Sequence, residues 1–186
     1  GAFQIDDMQF GMGEGIMQSY MGGANYVDTY GEKADITVDY FYSGSNSINE
    51  QQRNRENILP ETSFFTNTNS SSDADNHLHR VNLRFDVKID STLLLNIRPV
   101  MRYSTMESMR TSDEFSSNAF GEQINQADVV NRNTGTTTNF NNRLEATKRI
   151  GTKGSFLRLS VTNEWNTNRM ERYLHANTVF FDEETP

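Results

Sequence analysis

The sequence has no cysteine, which excludes disulfide bridges and thiolate metal sites. It contains no run near the ~18 apolar residues that a membrane-spanning helix needs. A net charge of −8 excludes broad electrostatic attraction to nucleic acid, so no nucleic-acid partner is expected. What remains is a chain for a reducing compartment, or a bacterial envelope protein built without disulfides.

Apolar residues are also scarce. They make up 34% of the 186 residues, and the mean hydropathy is −0.72, which is low for a chain that builds a packed core. Disorder is a fair explanation for the polar stretches but not for those with regular alternation. A transmembrane β-barrel explains both, because its lumen and its loops stay polar.

The stretch HRVNLRFDVKID, residues 79–90, has the clearest pattern in the chain. Apolar residues at 81, 83, 85, 87 and 89 alternate with polar or charged ones. This period of two predicts an extended strand with one apolar and one polar face. Similar alternation recurs along the chain and predicts an all-β fold, an antiparallel up-and-down meander of about six long strands.

The strands are expected to occupy most of one unit, residues 1–186, a partial outer-membrane β-barrel domain. Residues 1–18 are rich in Gly and Met without a clear period, and we interpret them as a loop. The six strands fall within 19–170. Residues 171–186 are a loop or the start of a further strand.

The predicted connections differ in length. Turns at 28–33, 90–91 and 151–154 are short, whereas the polar segments 43–76 and 106–137 are interpreted as long connections, although the strand before 43 could stay extended. Outer-membrane barrels have short periplasmic turns and long extracellular loops. The expected strands therefore belong to a larger transmembrane β-barrel.

Aromatic residues mark the strand ends far from the short turns. The predicted interface aromatics are Tyr42, Tyr103, Phe140 and Trp165. A tilted strand crosses a bilayer in ~9–11 residues, and Tyr and Trp favour its interfaces. One strand has His79 at this level instead. Pro99 predicts a bulge or a change of register, because proline donates no ladder hydrogen bond.

The alternation assigns residues to two faces of the barrel wall. The predicted lipid-facing residues are Val81, Leu83, Phe85, Val87, Ile89, Leu93, Leu95 and Ile97. The predicted lumen-facing residues are Asp35, Asp39, Arg80, Arg84, Asp86, Arg98, Arg102, Arg143, Glu145, Arg158 and Glu164. Both signs of charge occur in the second set, which favours cross-strand pairs or contacts with a plug over a single-sign selectivity filter.

Chemical motifs are few. His77 and His79 would share a strand face, but no third ligand follows at a convincing spacing, so solvated histidines are the better interpretation. No nucleophile elbow, phosphate-binding loop or zinc-protease motif occurs. We therefore expect neither an enzyme nor a cofactor or metal site.

Three ordered blocks resemble a known family. They are NYVDTYGEKADITVDYFYSGSN, RENILPETSFFTNTNSSS and HRVNLRFDVKIDSTLLLNIRPVMRYS. With their Tyr-rich strand, the ending in YFY and the KIDS and IRP segments, they look like the barrel of TonB-dependent receptor-like outer-membrane proteins of the bacteroidete type. The similarity covers most of residues 1–170.

The resemblance implies a location and partners. Such proteins lie in the bacterial outer membrane and carry a carboxypeptidase-like regulatory domain, a plug and a barrel of about twenty-two strands. Nothing in this sequence resembles the first two, so we interpret the chain as a fragment of the barrel. The implied partners are outer-membrane lipid, the remaining strands and plug, an inner-membrane energy-coupling protein and a surface lipoprotein. The implied role is ligand binding and uptake across the outer membrane.

The alternative is a soluble, secreted all-β module that presents its long loops to a protein partner or a glycan. The two hypotheses differ in their need for an apolar solvent. A barrel segment exposes its apolar face and aggregates in water, so we expect the chain to require detergent. Size-exclusion chromatography checks this. A monodisperse monomer without detergent, with a cooperative thermal transition, would contradict the barrel hypothesis.

Overall fold

The computed structural model describes residues 3–5, 8–10, 15–59, 63–151 and 154–181. All of its regular elements are strands. Their bounds are Phe3–Ile5 (β1), Met8–Phe10 (β2), Ile16–Tyr30 (β3), Ala34–Ile58 (β4), Ser63–Lys88 (β5), Leu93–Asn118 (β6), Gln123–Ile150 (β7) and Ser155–Phe180 (β8). The described part contains no helix that could span a membrane.

Strands β3 to β8 form one antiparallel sheet in which each strand pairs with its neighbours in the sequence. This confirms the predicted all-β, antiparallel up-and-down meander of six strands. The register is constant along each strand pair except for one irregularity between Ser116 and Ser117. Because the side-chain period is two, a constant register keeps each residue on one face from strand to strand.

The strands are much longer than expected. Strands β4 to β8 have 25 to 28 residues each, and a strand of this length spans about 85 Å at ~3.3 Å per residue. The long connections predicted at 43–76 and 106–137 are therefore wrong, because both segments lie mostly within strands. Three or four residues separate consecutive strands at both ends of the sheet. The two ends of the sheet therefore differ in how polar their strand residues are and not in the length of their loops.

Hydrogen bonds across strands explain why the polar segments stay extended. Ladder pairing runs through them without interruption, and short polar side chains add cross-strand bonds. The Asn46 amide donates to Asp75 Oδ1 at 3.0 Å, and the hydroxyls of Thr66 and Ser116 are 3.3 Å apart. These contacts need no apolar alternation, so the sequence pattern did not reveal them.

The two ends of the chain also differ from expectation. The segment 1–18, interpreted as a loop, contains the paired strands β1 and β2 and the start of β3. Residues 1–2, 6–7 and 11–14 of this segment lie outside the described part. At the C-terminal end β8 continues unbroken to Phe180, so 171–180 extends the sixth strand of the sheet and starts no further one. Residues 182–186 lie outside the described part.

Pro99 causes neither a bulge nor a change of register. The pairing of β5 with β6 is interrupted at Leu83 and Arg84, and the same register resumes on both sides of the gap. On its other side Pro99 pairs with Asn142 of β7. The missing N–H therefore opens a local gap in one ladder and leaves the faces of both strands unchanged.

The described part has no packed core. Only Ser43, Gly44, Thr66 and Ser116 are buried, and no described side chain is fully enclosed. The accessible surface is 13622 Å², compared with about 9,000 Å² for a compact monomer of this mass. A single sheet of this kind leaves both of its faces to be covered by something else.

The turn between β5 and β6 is held by one carboxylate. Asp90 Oδ1 accepts hydrogen bonds from the Thr92 hydroxyl at 2.6 Å and from the amides of Thr92 and Leu93 at 2.7 and 2.9 Å. Lys148 Nζ lies 3.4 Å from Asp90 Oδ2. These donors, the Thr92 hydroxyl first, lower the pKa of Asp90 to about 2.

Because the pKa of Asp90 is lowered in the folded state, the stability of the turn depends on pH. The stabilisation that the Asp90 carboxylate gives the turn is complete above the unfolded pKa of about 3.9 and is lost as the pH falls through about 2. We expect the Asp90 carboxyl resonance to titrate near pH 2 in NMR spectra, and Thr92→Val to raise this midpoint towards 4. Ser91→Ala is the control and should leave the midpoint in place. A wild-type midpoint near 4 would contradict this assignment.

Candidate functional site: an apolar band, an aromatic belt and a charged face

One face of the sheet carries a band of apolar side chains beside the turns at residues 31–33 and 89–92. Register pairs Ile36 with Phe85 and Val38 with Leu83 across β4 and β5. The row of Ile36 and Phe85 continues through Ile97, Leu144 and Val161, and the row of Ala34 and Val87 continues through Leu95, Ala146 and Leu159. These residues are half-buried or exposed. We call this side of the sheet the apolar face, and we call the band of apolar side chains near the turns the apolar band.

The residues predicted to face lipid share this apolar face. Val81, Leu83, Phe85 and Val87 of β5 follow its period, as do Leu93, Leu95 and Ile97 of β6. Ile89 lies in the turn, where its side chain is 53% exposed. Their grouping on one face follows from the register; their contact with lipid stays a prediction.

Polar residues interrupt the apolar face at its middle. Asn142 pairs with Asn163 of β8 and with Pro99 of β6, in the same row as Leu83. The Asn142 Oδ1 atom is buried and has no hydrogen-bond partner. An unsatisfied amide oxygen costs about 1–3 kcal/mol, so this row is the weakest part of the band.

Aromatic rings cross the sheet where the band ends. Tyr42, His79 and Tyr103 occupy one row of β4, β5 and β6. Tyr40, Phe140 and Trp165 lie one row nearer the turns, and Tyr20 and His77 one row farther. We call these eight residues the aromatic belt. It contains all four predicted interface aromatics, which the register places side by side.

The two histidines are integral members of the aromatic belt. The Tyr40 hydroxyl lies 2.9 Å from His79 Nδ1, and the Tyr42 hydroxyl lies 3.0 Å from His77 Nδ1. The rings of Tyr42 and His79 are 4.8 Å apart, and His79 continues to Tyr103 at 6.2 Å. His79 therefore fills the position where the sequence had indicated an interruption.

Tyr20 joins the belt through a glycine. Its ring lies over Gly44, the residue directly opposite on β4, and is 6.0 Å from the Tyr42 ring. A Cβ atom at Gly44 would lie 2.5 Å from Cε2 and 2.6 Å from the hydroxyl oxygen of Tyr20. An aromatic ring covering a strand glycine shields backbone that would otherwise be open to solvent.

Charged residues begin immediately beyond the belt on the same face. Arg132 contacts Glu107 across β6 and β7 at 2.5 Å, and Arg169 contacts Glu171 within β8 at 2.6 Å. Glu107, Arg169 and Glu171 line an open depression of about 370 Å³, which His77 also lines. The aromatic belt thus separates an apolar surface from a charged one.

The opposite face of the sheet is charged near the same turns, and we call it the charged face. All residues predicted to face a lumen lie on it: Asp35, Asp39, Arg80, Arg84, Asp86, Arg98, Arg102, Arg143, Glu145, Arg158 and Glu164. Opposite charges contact each other on this face, across strands between Glu145 and Arg158 and within a strand in the other two pairs. Arg84 contacts Asp86 at 2.6 Å, and Glu145 contacts Arg143 at 3.5 Å and Arg158 at 3.4 Å.

Three of these arginines are neighbours across strands. Arg98 pairs directly with Arg143, and the register of β5 with β6 places Arg84 opposite Arg98. We call Arg84, Arg98 and Arg143 the arginine row. Next to it towards the turns lies a row with Asp86 and Glu145. The charged face is therefore layered by sign near the turns.

The described residues contain no group of three or more His, Asp or Glu side chains that could hold a metal ion. The aromatic belt includes four residues absent from the predicted interface set, namely Tyr20, Tyr40, His77 and His79. Three of them could have been predicted from their spacing. Tyr40 lies two residues from Tyr42 on β4, and His77 and His79 lie two residues apart on β5, on the same face as Tyr42.

No protein-family model matches the chain, and a search of curated proteins finds no match. The resemblance to TonB-dependent receptors thus rests on the sequence blocks alone.

The contact between Tyr20 and Gly44 gives a testable prediction. Gly44→Ala should displace the Tyr20 ring and lower the free energy of unfolding in detergent by about 1 kcal/mol, the value of a lost aromatic contact. Urea titration measures the change. Gly22→Ala is the matched control, because a Cβ atom there meets no atom within 4 Å. Equal stability of the two variants would show that Tyr20 is not held over Gly44.

Proposed function

We propose that this chain is a segment of the wall of a TonB-dependent receptor-like outer-membrane β-barrel, a protein that binds a ligand and moves it across the outer membrane. The observation that carries the proposal is the apolar band, bounded by the aromatic belt, on a sheet without a packed core.

The dimensions of the band support a bilayer as its solvent. From Ile89 to His79 the strand advances ten positions, about 33 Å along its axis. At the usual barrel tilt of about 40° this covers about 25 Å of height, which is the height of the apolar band on outer-membrane barrels. Tyr, His and Trp rings at its boundary suit the membrane interface, since one end of each ring is apolar and the other can be hydrated.

The other end of the band also suits a membrane boundary. Asp90 of the β5–β6 turn and Lys148 near the end of β7 carry charges there, and they contact each other. The polar strand halves begin beyond the aromatic belt and run for about a dozen residues more. In a barrel these halves would rise above the membrane and form a polar wall around the ligand entrance. These polar strand halves take the place of the long loops predicted from the sequence.

The alternative, a soluble binding module, lacks its main requirement. A soluble β-sandwich buries one face of each sheet against the other. Here the second described sheet is the β1–β2 pair, with three residues in each strand, which is too small to cover the apolar face. The large accessible surface fits a sheet designed to meet lipid on one side and water on the other.

A charge at the middle of the band tests the proposal. Leu83→Arg should oppose insertion into lipid vesicles by about 2–4 kcal/mol, because the guanidinium would have to leave water at the bilayer midplane. Insertion is measured by protection from protease and by the shift of Trp165 fluorescence.

Asn141→Arg is the matched control. It adds the same side chain at nearly the same depth, but on the charged face and directly opposite Glu164. We expect it to insert like the unmodified chain. Equal insertion of the two variants, or a failure of the unmodified chain to insert, would overturn the proposed function.

A further inference from the structure

The arginine row has an arrangement that sheet stability alone does not explain. Side chains on neighbouring strands start only about 4.8 Å apart, so three positive charges are held side by side. Like charges directly opposite each other destabilise a sheet. A row of three arginines therefore costs stability unless an anion compensates for it.

Two of the three arginines have an anion within the sheet. Arg84 Nε donates to Asp86 Oδ2 at 2.6 Å, and an amino group of Arg143 lies 3.5 Å from Glu145 Oε2. Arg98, between them, has no ion pair with any described residue, and it is exposed. Asp86 is further occupied by the amide of Asn96, which donates to Oδ1 at 2.5 Å. The positive charge of Arg98 acts on the Asp86 carboxylate without forming an ion pair, and Glu145 is shared between Arg143 and Arg158.

We propose that the arginine row binds a carboxylate, which Arg98 holds through its two-pronged guanidinium while Arg84 and Arg143 flank it. A guanidinium and a carboxylate are planar and match in two parallel hydrogen bonds. Glu145 is shared between Arg143 and Arg158, so Arg84, Arg98, Arg143 and Arg158 face only two acids, and the row keeps an excess of positive charge. The planar shape of the guanidinium, and not the size of this charge, favours a carboxylate over a tetrahedral phosphate.

The carboxylate has two possible sources, a free organic acid or a polypeptide segment that enters the barrel. The inference rests on the proposed function for this distinction, because only a closed barrel turns the charged face into a lumen. The chemistry of the site is the same in both cases. Two ligands of similar charge and different shape, succinate and inorganic phosphate, test it directly.

The experiment follows the arginine side-chain NMR resonances of the full chain in detergent micelles during titration with succinate. We expect saturable shifts at Arg98, and an affinity about tenfold lower in Arg98→Gln because two charge-assisted hydrogen bonds are lost. Arg98→Lys keeps the charge without the planar fork and should fall between. Circular dichroism verifies that each variant is folded.

Arg110→Gln is the matched control. It removes the same charge from the same face of β6, at a position where Arg110 donates to the Ser70 hydroxyl at 3.3 Å. We expect it to change succinate affinity less than twofold. Equal effects of the two glutamine variants would overturn the inference, as would tighter binding of phosphate than of succinate.

A Gly-Glu-Gly-Glu peptide separates the two sources. Tighter binding of the peptide than of succinate assigns the carboxylate to a polypeptide segment, and the reverse assigns it to a free acid. The outcome is independent of membrane insertion. A chain that inserts into vesicles but does not bind succinate contradicts only the carboxylate site, and a chain that fails to insert contradicts the proposed function.

Discussion

The ladder of backbone hydrogen bonds between neighbouring strands is the interaction on which the whole structure depends. Because the described part has no packed core, these bonds supply most of the stabilisation that hydrophobic burial supplies in a globular domain. They hold strands of 25 to 28 residues together through stretches of Asn, Ser and Thr that bury little. Because the ladder keeps one register, it also decides which side chains meet.

The fixed register turns scattered residues into surfaces. Tyr42, His79 and Tyr103 are far apart in the sequence, yet they form one row of the aromatic belt. The same rule brings Arg98 beside Arg143 on the opposite face. A shift by one residue in a single strand would exchange apolar and charged residues between the faces. The two surfaces therefore depend on each other through the backbone.

The alternating segments could be predicted from the sequence, and the polar ones could not. Val81 to Val87 alternate strictly, so their strand and shared face were evident. Residues 63–76 show no such period, and their strand exists because partners on β4 and β6 complete its hydrogen bonds. Composition favours loops for Asn and Ser, and tertiary pairing overrides that preference.

The sites divide in the same way. The face of each charged residue followed from alternation, so the set on the charged face was predictable residue by residue. The adjacency of Arg84, Arg98 and Arg143 needed the register between three strands, which no single strand specifies. The role of His79 was missed for a similar reason. His79 belongs to the aromatic belt because of two residues on the neighbouring strand β4. Tyr40 shares a hydrogen bond with it, and the ring of Tyr42 contacts its ring.

The edges of the sheet complete the physical argument for a larger assembly. Among the described residues, β8 has no partner along one side of its 26 residues, and the pairing of β3 with β4 stops at Ile48, so the rest of β4 has a described partner on one side alone. Unpaired N–H and C=O groups can be hydrated in water but not in hydrocarbon, where each costs several kcal/mol. An apolar band that reaches such an edge enters a bilayer only where another strand, such as one from a second copy of the chain, pairs with that edge. If lipid covers the band, further strands must cover the edge. The reason is that the same rows of β8 carry both apolar side chains, which favour lipid, and unpaired backbone groups, which need hydrogen-bond partners.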